Sequence, residues 1–294
     1  MNSGDTGFIL ICSALVFFMT PGLAFFYGGL VRRKNLVNTM MAIVMIMGLA
    51  TVMWALFGYS LAFGGNHGGI IGDFRWFGLE GIGWNVGPYA DSIPNLVFCA
   101  FQMMFAIITP ALITGAVVGR MRFKALFIFI ALWSLVIYYP LAHMVWGQGG
   151  LLAELGSVDF AGGDVVHISS GVTALVLAIV LGRRKGYEQM TYRIHNIPFV
   201  VLGATILWFG WFGFNAGSAL KADGLAAHAF MTSAISSAAA LLSWMFIDMV
   251  NDKKTTLVGA STGLVLGLVA ITPGAGFVPI WASFIIGALV SPIC

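Results

Sequence analysis

From residue 8 to residue 31 the chain runs without one charged side chain, and long apolar stretches recur along its whole length. A bilayer core of about 30 Å takes about 20 apolar residues of helix to cross. On that measure spans fall at 8–31, 37–63, 95–118, 125–146, 165–181, 197–214, 226–250 and 257–272. A ninth opens near Val278 and runs to Cys294. The connections are short, so the chain reads as one membrane domain over 1–294 with no soluble appendage. Hydrophobic residues make up 60% and charged residues 9%, where soluble domains carry about 45–50% and about 25%. In hydrocarbon each backbone N–H and C=O must be paired inside the protein, which helices achieve by themselves. The expected class is all-α, a polytopic helical membrane protein.

The basic residues sort the loops into two kinds. Arg32, Arg33 and Lys34 follow the first span, and Arg120, Arg122 and Lys124 the third. Arg183, Arg184, Lys185 and Arg193 follow the fifth, and Lys253 and Lys254 the seventh. Only Arg75 and Lys221 lie in the other loops. Lys and Arg gather on the cytoplasmic side, so the N-terminus is expected outside. This distribution accounts for the net charge of +3, and nothing in it points to nucleic acid. The start of the chain has no basic n-region, so no cleavable signal peptide is expected and the first span is retained. The three cysteines, Cys12, Cys99 and Cys294, sit in apolar runs and form no disulfide framework.

Glycine is abundant, at 38 residues. Gly259, Gly263 and Gly267 recur every fourth residue, a spacing that lets helices approach closely. Pro21 and Pro110 lie in apolar spans and predict kinks or breaks.

Chemistry concentrates in a few places. Asp159-Phe160-Ala161-Gly162-Gly163-Asp164-Val165-Val166-His167 carries two carboxylates, a glycine pair and a histidine at the mouth of the fifth span. Ionisable groups in such positions are costly and are usually functional. Asp164 reads as the N-cap of that span, with His167 in its first turn. His167 is as readily a buried structural histidine as a partner for a polar solute; imidazole both donates and accepts hydrogen bonds. His143 and His228 read as structural. Three polar-aromatic clusters accompany this stretch: 100–105 in the third span, 143–147 at the end of the fourth, and 210–218 at the end of the sixth. Aromatic faces attract small cations, although Trp and Tyr also gather at membrane interfaces for other reasons. The pattern contains no metal-ligand spacing, no nucleophile–base–acid set and no phosphate loop, so neither an enzyme nor a cofactor is expected.

The sequence Pro21-Gly22-Leu23-Ala24-Phe25-Phe26-Tyr27-Gly28-Gly29, with Leu30 to Asn35 after it, resembles the ammonium transporter family (Amt/Mep/Rh). So do the Asp159–His167 stretch, the run from His143 to Gly147, and the run from Gly210 to Ser218. The resemblance covers the whole chain. It implies an eleven-helix fold with an inverted repeat of five spans each, of which nine spans are present, assembled as a homotrimer with one pore per subunit. It also implies a channel or transporter of the plasma membrane. Phe105, Trp146 and Ser218 would recruit ammonium at an outer site that Asp159 supports, and Phe105 and Phe214 would stack as a gate below it. His167 would be one of two pore histidines that meet ammonia once the proton has been removed. Methylammonium would serve as an analogue, and a PII-class regulator would act from the cytoplasmic side.

The second pore histidine of the family lies in a tenth span, whereas this chain ends in its ninth. A longer gene product is therefore expected, and an ammonium sensor fused to a signalling domain or an inactive fragment are the alternatives to a transporter. Counting from the basic loop places His167 in the outer part of the bilayer, whereas the resemblance places it near mid-pore.

Overall fold

The computed structural model describes residues 1–184, 187, 193–251 and 254–294. No β-strand occurs among them. Eight helical runs are long and apolar enough to cross a membrane: α1 (Ser3–Leu30), α2 (Arg33–Phe63), α3 (Asn95–Val117), α4 (Phe123–Glu154), α5 (Gly163–Leu181), α6 (Ile197–Gly217), α7 (Gly224–Val250) and α8 (Leu257–Gly274). They lie on the eight stretches expected. The ninth, α9 (Ile280–Ile293), has 14 residues, about 21 Å of helix, against a core of about 30 Å. Lys185 and Lys253, two of the topology markers, lie outside the described residues.

Neither proline breaks its helix: α1 runs on through Pro21 and α3 through Pro110. The helices change pitch elsewhere. Single π-helical turns occur at Trp54–Gly58 in α2, at Ser134–Tyr138 in α4, and at Gly163–Ile168, where α5 starts. Such turns insert one residue into the helical ladder and rotate the face that follows; they are frequent at functional sites.

The centre of the fold is the crossing of α1 on α6. A Cβ on Gly203 would collide with the Phe26 backbone, and one on Gly22 would meet Ile206. Gly210 and Gly213 meet Met19 and Leu15 in the same way. Small residues substitute here for the hydrophobic effect, which gives no force between helices in lipid. Gly203→Leu is expected to separate the pair and destabilise the protein by about 3 kcal/mol or more, because overpacking against backbone has no side chain to yield. An unchanged melting temperature in detergent would contradict this close approach.

Gly259, Gly263 and Gly267 serve as expected, packing on Trp244, Ala240 and Ser236 of α7. Ser236 donates to the Gly267 carbonyl at 2.8 Å and Ser237 to that of Leu264 at 3.0 Å. On the basic face, Arg120 binds the Ala116 carbonyl of α3 and the Gly182 carbonyl after α5. A cation at helix C-termini satisfies both the orphan carbonyls and the helix dipole.

The opposite face, which holds the N-terminus, is tied by short polar contacts. His143 is fully buried and bridges the Ala62 carbonyl at 3.0 Å and Asn66 Oδ1 at 3.2 Å. His228 reaches the Val278 carbonyl at 2.8 Å. Both histidines are joined to neighbouring backbone or loop, as their sequence context suggested.

Candidate permeation site

The loop before α5 dips into the protein instead of lying on its surface. Buried irregular backbone needs partners, and one side chain supplies them. Asp159 Oδ1 accepts from the N–H groups of Gly162 at 2.7 Å and Gly163 at 2.6 Å. Its Oδ2 accepts from Asp164 at 2.8 Å and Val165 at 3.1 Å. Burial raises the Asp159 pKa above the ordinary carboxylate range, and the four backbone donors work against that rise. Gly162 takes φ +117°, a left-handed conformation that favours glycine. The His167 N–H then reaches back to the Gly162 carbonyl at 3.0 Å, a π-type bond.

This corrects the expectation for Asp164. No side chain at the position before the helix caps it; Asp159 performs the capping from further back, and Asp164 Oδ2 instead accepts from the Ser157 hydroxyl at 2.9 Å. The N-cap pattern assumes a carboxylate directly before the helix. Here the chain folds back on itself, so the carboxylate that caps is more distant in sequence.

Asp159 also holds Trp146. The indole Nε1 donates to the Asp159 carbonyl at 3.1 Å. Trp146 lies on the wall of a cavity of about 290 Å³ on the N-terminal face, together with Phe101, Gln102, Phe105, Phe160 and Ser218. Of the four residues expected at a recruitment site, Phe105, Trp146 and Ser218 line this vestibule. Asp159 does not; it stands behind Trp146 as its support. The Ser218 hydroxyl donates to the Phe214 carbonyl at 2.9 Å, which leaves its oxygen lone pairs to accept.

Phe105 and Phe214 meet at the bottom of the vestibule, with ring centroids 4.4 Å apart and planes inclined by 44°. Below them lies a second cavity of about 60 Å³, lined by Leu23, Tyr27, Ile108, His167, Leu207, Trp211, Phe214 and other apolar residues. Phe105 thus faces the upper cavity and Phe214 the lower one. The His167 ring stacks against Trp211 (5.3 Å, 28°) and Phe214 (5.9 Å, 17°). The other polar side-chain groups around this cavity are engaged: the Tyr27 hydroxyl donates to the Leu112 carbonyl at 2.9 Å, and Trp211 Nε1 to Thr272 at 2.9 Å. His167 Nε2 is enclosed and has no hydrogen-bond partner among the described residues.

His167 lies deeper in the fold than its place at the start of a span suggests. It is in the first turn of α5, yet it shares its cavity with Leu207, the middle residue of α6 (Ile197–Gly217). The helix begins deep in the fold because Asp159 satisfies the loop that leads to it.

The sequence model of the Ammonium Transporter Family matches residues 7–294. The chain belongs to the ammonium transporter family. That is a family of transporters and not of enzymes, and the chain is a multi-pass membrane protein. It is 49% identical over its full length to the ammonium transporter of Bacillus subtilis (strain 168), covering 72% of that protein. Its fold is similar to the crystal structure of Candida albicans Mep2, with a TM-score of 0.93 and 35% identity, over 100% of this chain and 66% of Mep2. It is also similar to a structure described as a Sensor Amt Protein, with a TM-score of 0.91 and 28% identity, over 99% of this chain and 73% of that one. The chain therefore spans about two thirds to three quarters of the length of these ammonium transporter relatives.

Trp211, Gln102, Phe101 and Thr272 did not stand out individually in the sequence. For two of them a signal existed. Trp211 precedes Phe214 by three residues and Phe101 precedes Phe105 by four, spacings that share one helical face.

Proposed function

We propose that the protein carries ammonium or ammonia across the plasma membrane, with the N-terminus outside and residues 1–294 acting as a single transport domain. One observation carries the mechanism: the Phe105–Phe214 pair separates an aromatic vestibule from an apolar cavity into which His167 brings an imidazole whose Nε2 has no hydrogen-bond partner among the described residues. A permanent cation in the second cavity would be costly. The vestibule is suited to the cation, through the ring faces of Phe105 and Trp146 and the hydroxyl oxygen of Ser218. The lower cavity is suited to neutral ammonia, which can exchange a hydrogen bond with imidazole. Ammonium gives its proton to water on the vestibule side, and ammonia then passes Phe105 and Phe214, which act as the gate.

Assembly as a homotrimer and control by a PII-class protein at the basic face belong to this reading. A second reading, an ammonium sensor domain, is favoured by the likeness to the Sensor Amt Protein.

Labelled methylammonium uptake into vesicles, with ammonium as competitor, tests the proposal. Saturable uptake supports transport; binding without net uptake supports sensing; neither would remove both. Within this assay, Trp146→Leu is expected to weaken apparent affinity about two- to thirtyfold, the range of one cation–π contact. An unchanged affinity would remove Trp146 from the recruitment site.

A further inference from the structure

The turn that ends α8 touches both halves of the candidate site. Thr272 is fully buried, accepts the Trp211 indole N–H at 2.9 Å and donates to the Leu268 carbonyl at 2.7 Å. The next residue, Pro273, accepts the Phe160 N–H at 2.9 Å, and any side chain at Gly163 would collide with its ring. Thr232 of α7 donates to the Ala275 carbonyl at 2.8 Å and anchors the turn from behind. This turn is where α8, which also lines the lower cavity through Val265 and Val269, bonds to residues of the site, and where α7 is tied to it.

A threonine hydroxyl in a helix commonly does no more than bond its own backbone four residues earlier. Thr272 does this with its hydrogen, but its lone pair is used as well, by a tryptophan sixty-one residues away in sequence. The Trp211 indole has a single donor and no acceptor. Buried here, that donor has a favourable position only while the Thr272 oxygen is opposite it. The bond therefore sets the rotation of the indole plane. That plane lies against the His167 imidazole and, 5.4 Å away, against the Phe214 ring.

The geometry points to Thr272 as a positioning residue that orients Trp211, and through it the His167 and Phe214 rings, without contacting the solute. This rests on the reading of His167 and Phe214 as pore and gate. It separates the two functions of the site: Thr272 touches neither Phe105, Trp146 nor Ser218 in its hydrogen bonds, so its loss should alter passage and not recruitment.

The test is a set of variants assayed for labelled methylammonium uptake, normalised to folded protein. Thr272→Val keeps the shape and removes the acceptor. It is expected to lower the maximal rate about five- to tenfold, the size of effect that follows from one unpaired buried donor, with the apparent KM within about twofold. Thr272→Ser keeps the oxygen and should return the rate. Adding Trp211→Phe to Thr272→Val should cost nothing beyond the Trp211→Phe variant alone, because the donor has gone. Equal rates in Thr272→Val and wild type would overturn the inference, as would equal impairment in the Val and Ser variants. So would KM and rate moving together. A readout independent of transport comes from nitrogen-15 NMR of the detergent-solubilised full chain. The Trp211 indole resonance, identified by its absence in Trp211→Phe, and the His167 ring resonances should shift together in Thr272→Val. If wild type fails to carry methylammonium, the transport reading falls while this NMR result still decides the role of Thr272. A His167 signal that does not move rejects that role.

Discussion

Replacing His167 with Ala is expected to lower labelled methylammonium uptake by about one to two orders of magnitude. In the lower cavity the Tyr27 hydroxyl and the Trp211 indole already have partners. That leaves the His167 imidazole, whose Nε2 has no partner among the described residues, as the group with which an incoming ammonia can exchange hydrogen bonds. Failing to satisfy a polar solute in an apolar enclosure costs about 1–3 kcal/mol, and about 1.4 kcal/mol is a factor of ten. Removing the imidazole also takes a stacking partner from Phe214 and enlarges the cavity below the gate. The preference for ammonium over methylammonium should therefore change along with the rate. Unchanged uptake together with unchanged selectivity would rule out the pore role.

Asp159→Ala should be more damaging still, and in a different way. Its carboxylate satisfies four backbone donors in a loop that has sunk into the fold. Each buried donor left unpaired costs about 1–3 kcal/mol, and although neighbouring losses do not add in full, a typical domain is stable by only about 5–15 kcal/mol. The variant is expected to accumulate poorly and to melt far below wild type. Whatever folds should have lost its recruitment affinity, because Trp146 hangs from the Asp159 carbonyl. Asp159→Asn retains one acceptor oxygen but turns an amide NH₂ towards the other donors, so it should fall between the two. Hydrogen exchange at residues 162–167 locates the damage: fast exchange there in the Ala variant is the expected outcome. A variant that melts and transports like wild type would show that the carboxylate does not hold the turn.

Part of the site could be read from the chain without a fold. Trp146 and Ser218 stand at the ends of apolar runs, and the Asp159–His167 stretch is conspicuous because carboxylates and imidazole are expensive beside hydrocarbon. The pairing of Phe105 with Phe214 was different. No spacing predicts that rings 109 positions apart meet with centroids at 4.4 Å, and only the family resemblance suggested it. The misreading of Asp164 has a definite cause. A cap rule looks one residue upstream of a helix, whereas this helix is capped around a reversal of the chain at Gly162. Of the kinks or breaks expected at Pro21 and Pro110, the breaks did not occur, since both helices run on through the proline; the changes of helical pitch lie at the π turns.

The sequence by itself determined the class, the placement of eight spans, and the chemical types available for a solute. Those properties follow from one-dimensional quantities: the length of uncharged runs against the thickness of a bilayer, and the alternation of basic loops. Tertiary structure alone decided which groups face one another. It placed Asp159 behind Trp146 instead of on the vestibule wall, sank the start of α5 so that His167 shares a cavity with Leu207, and brought Thr272 to Trp211. The reason is that a buried donor or acceptor takes whichever partner the packing presents, and the central packing in this fold is set by glycine crossings of α1 on α6, helices far apart in the chain.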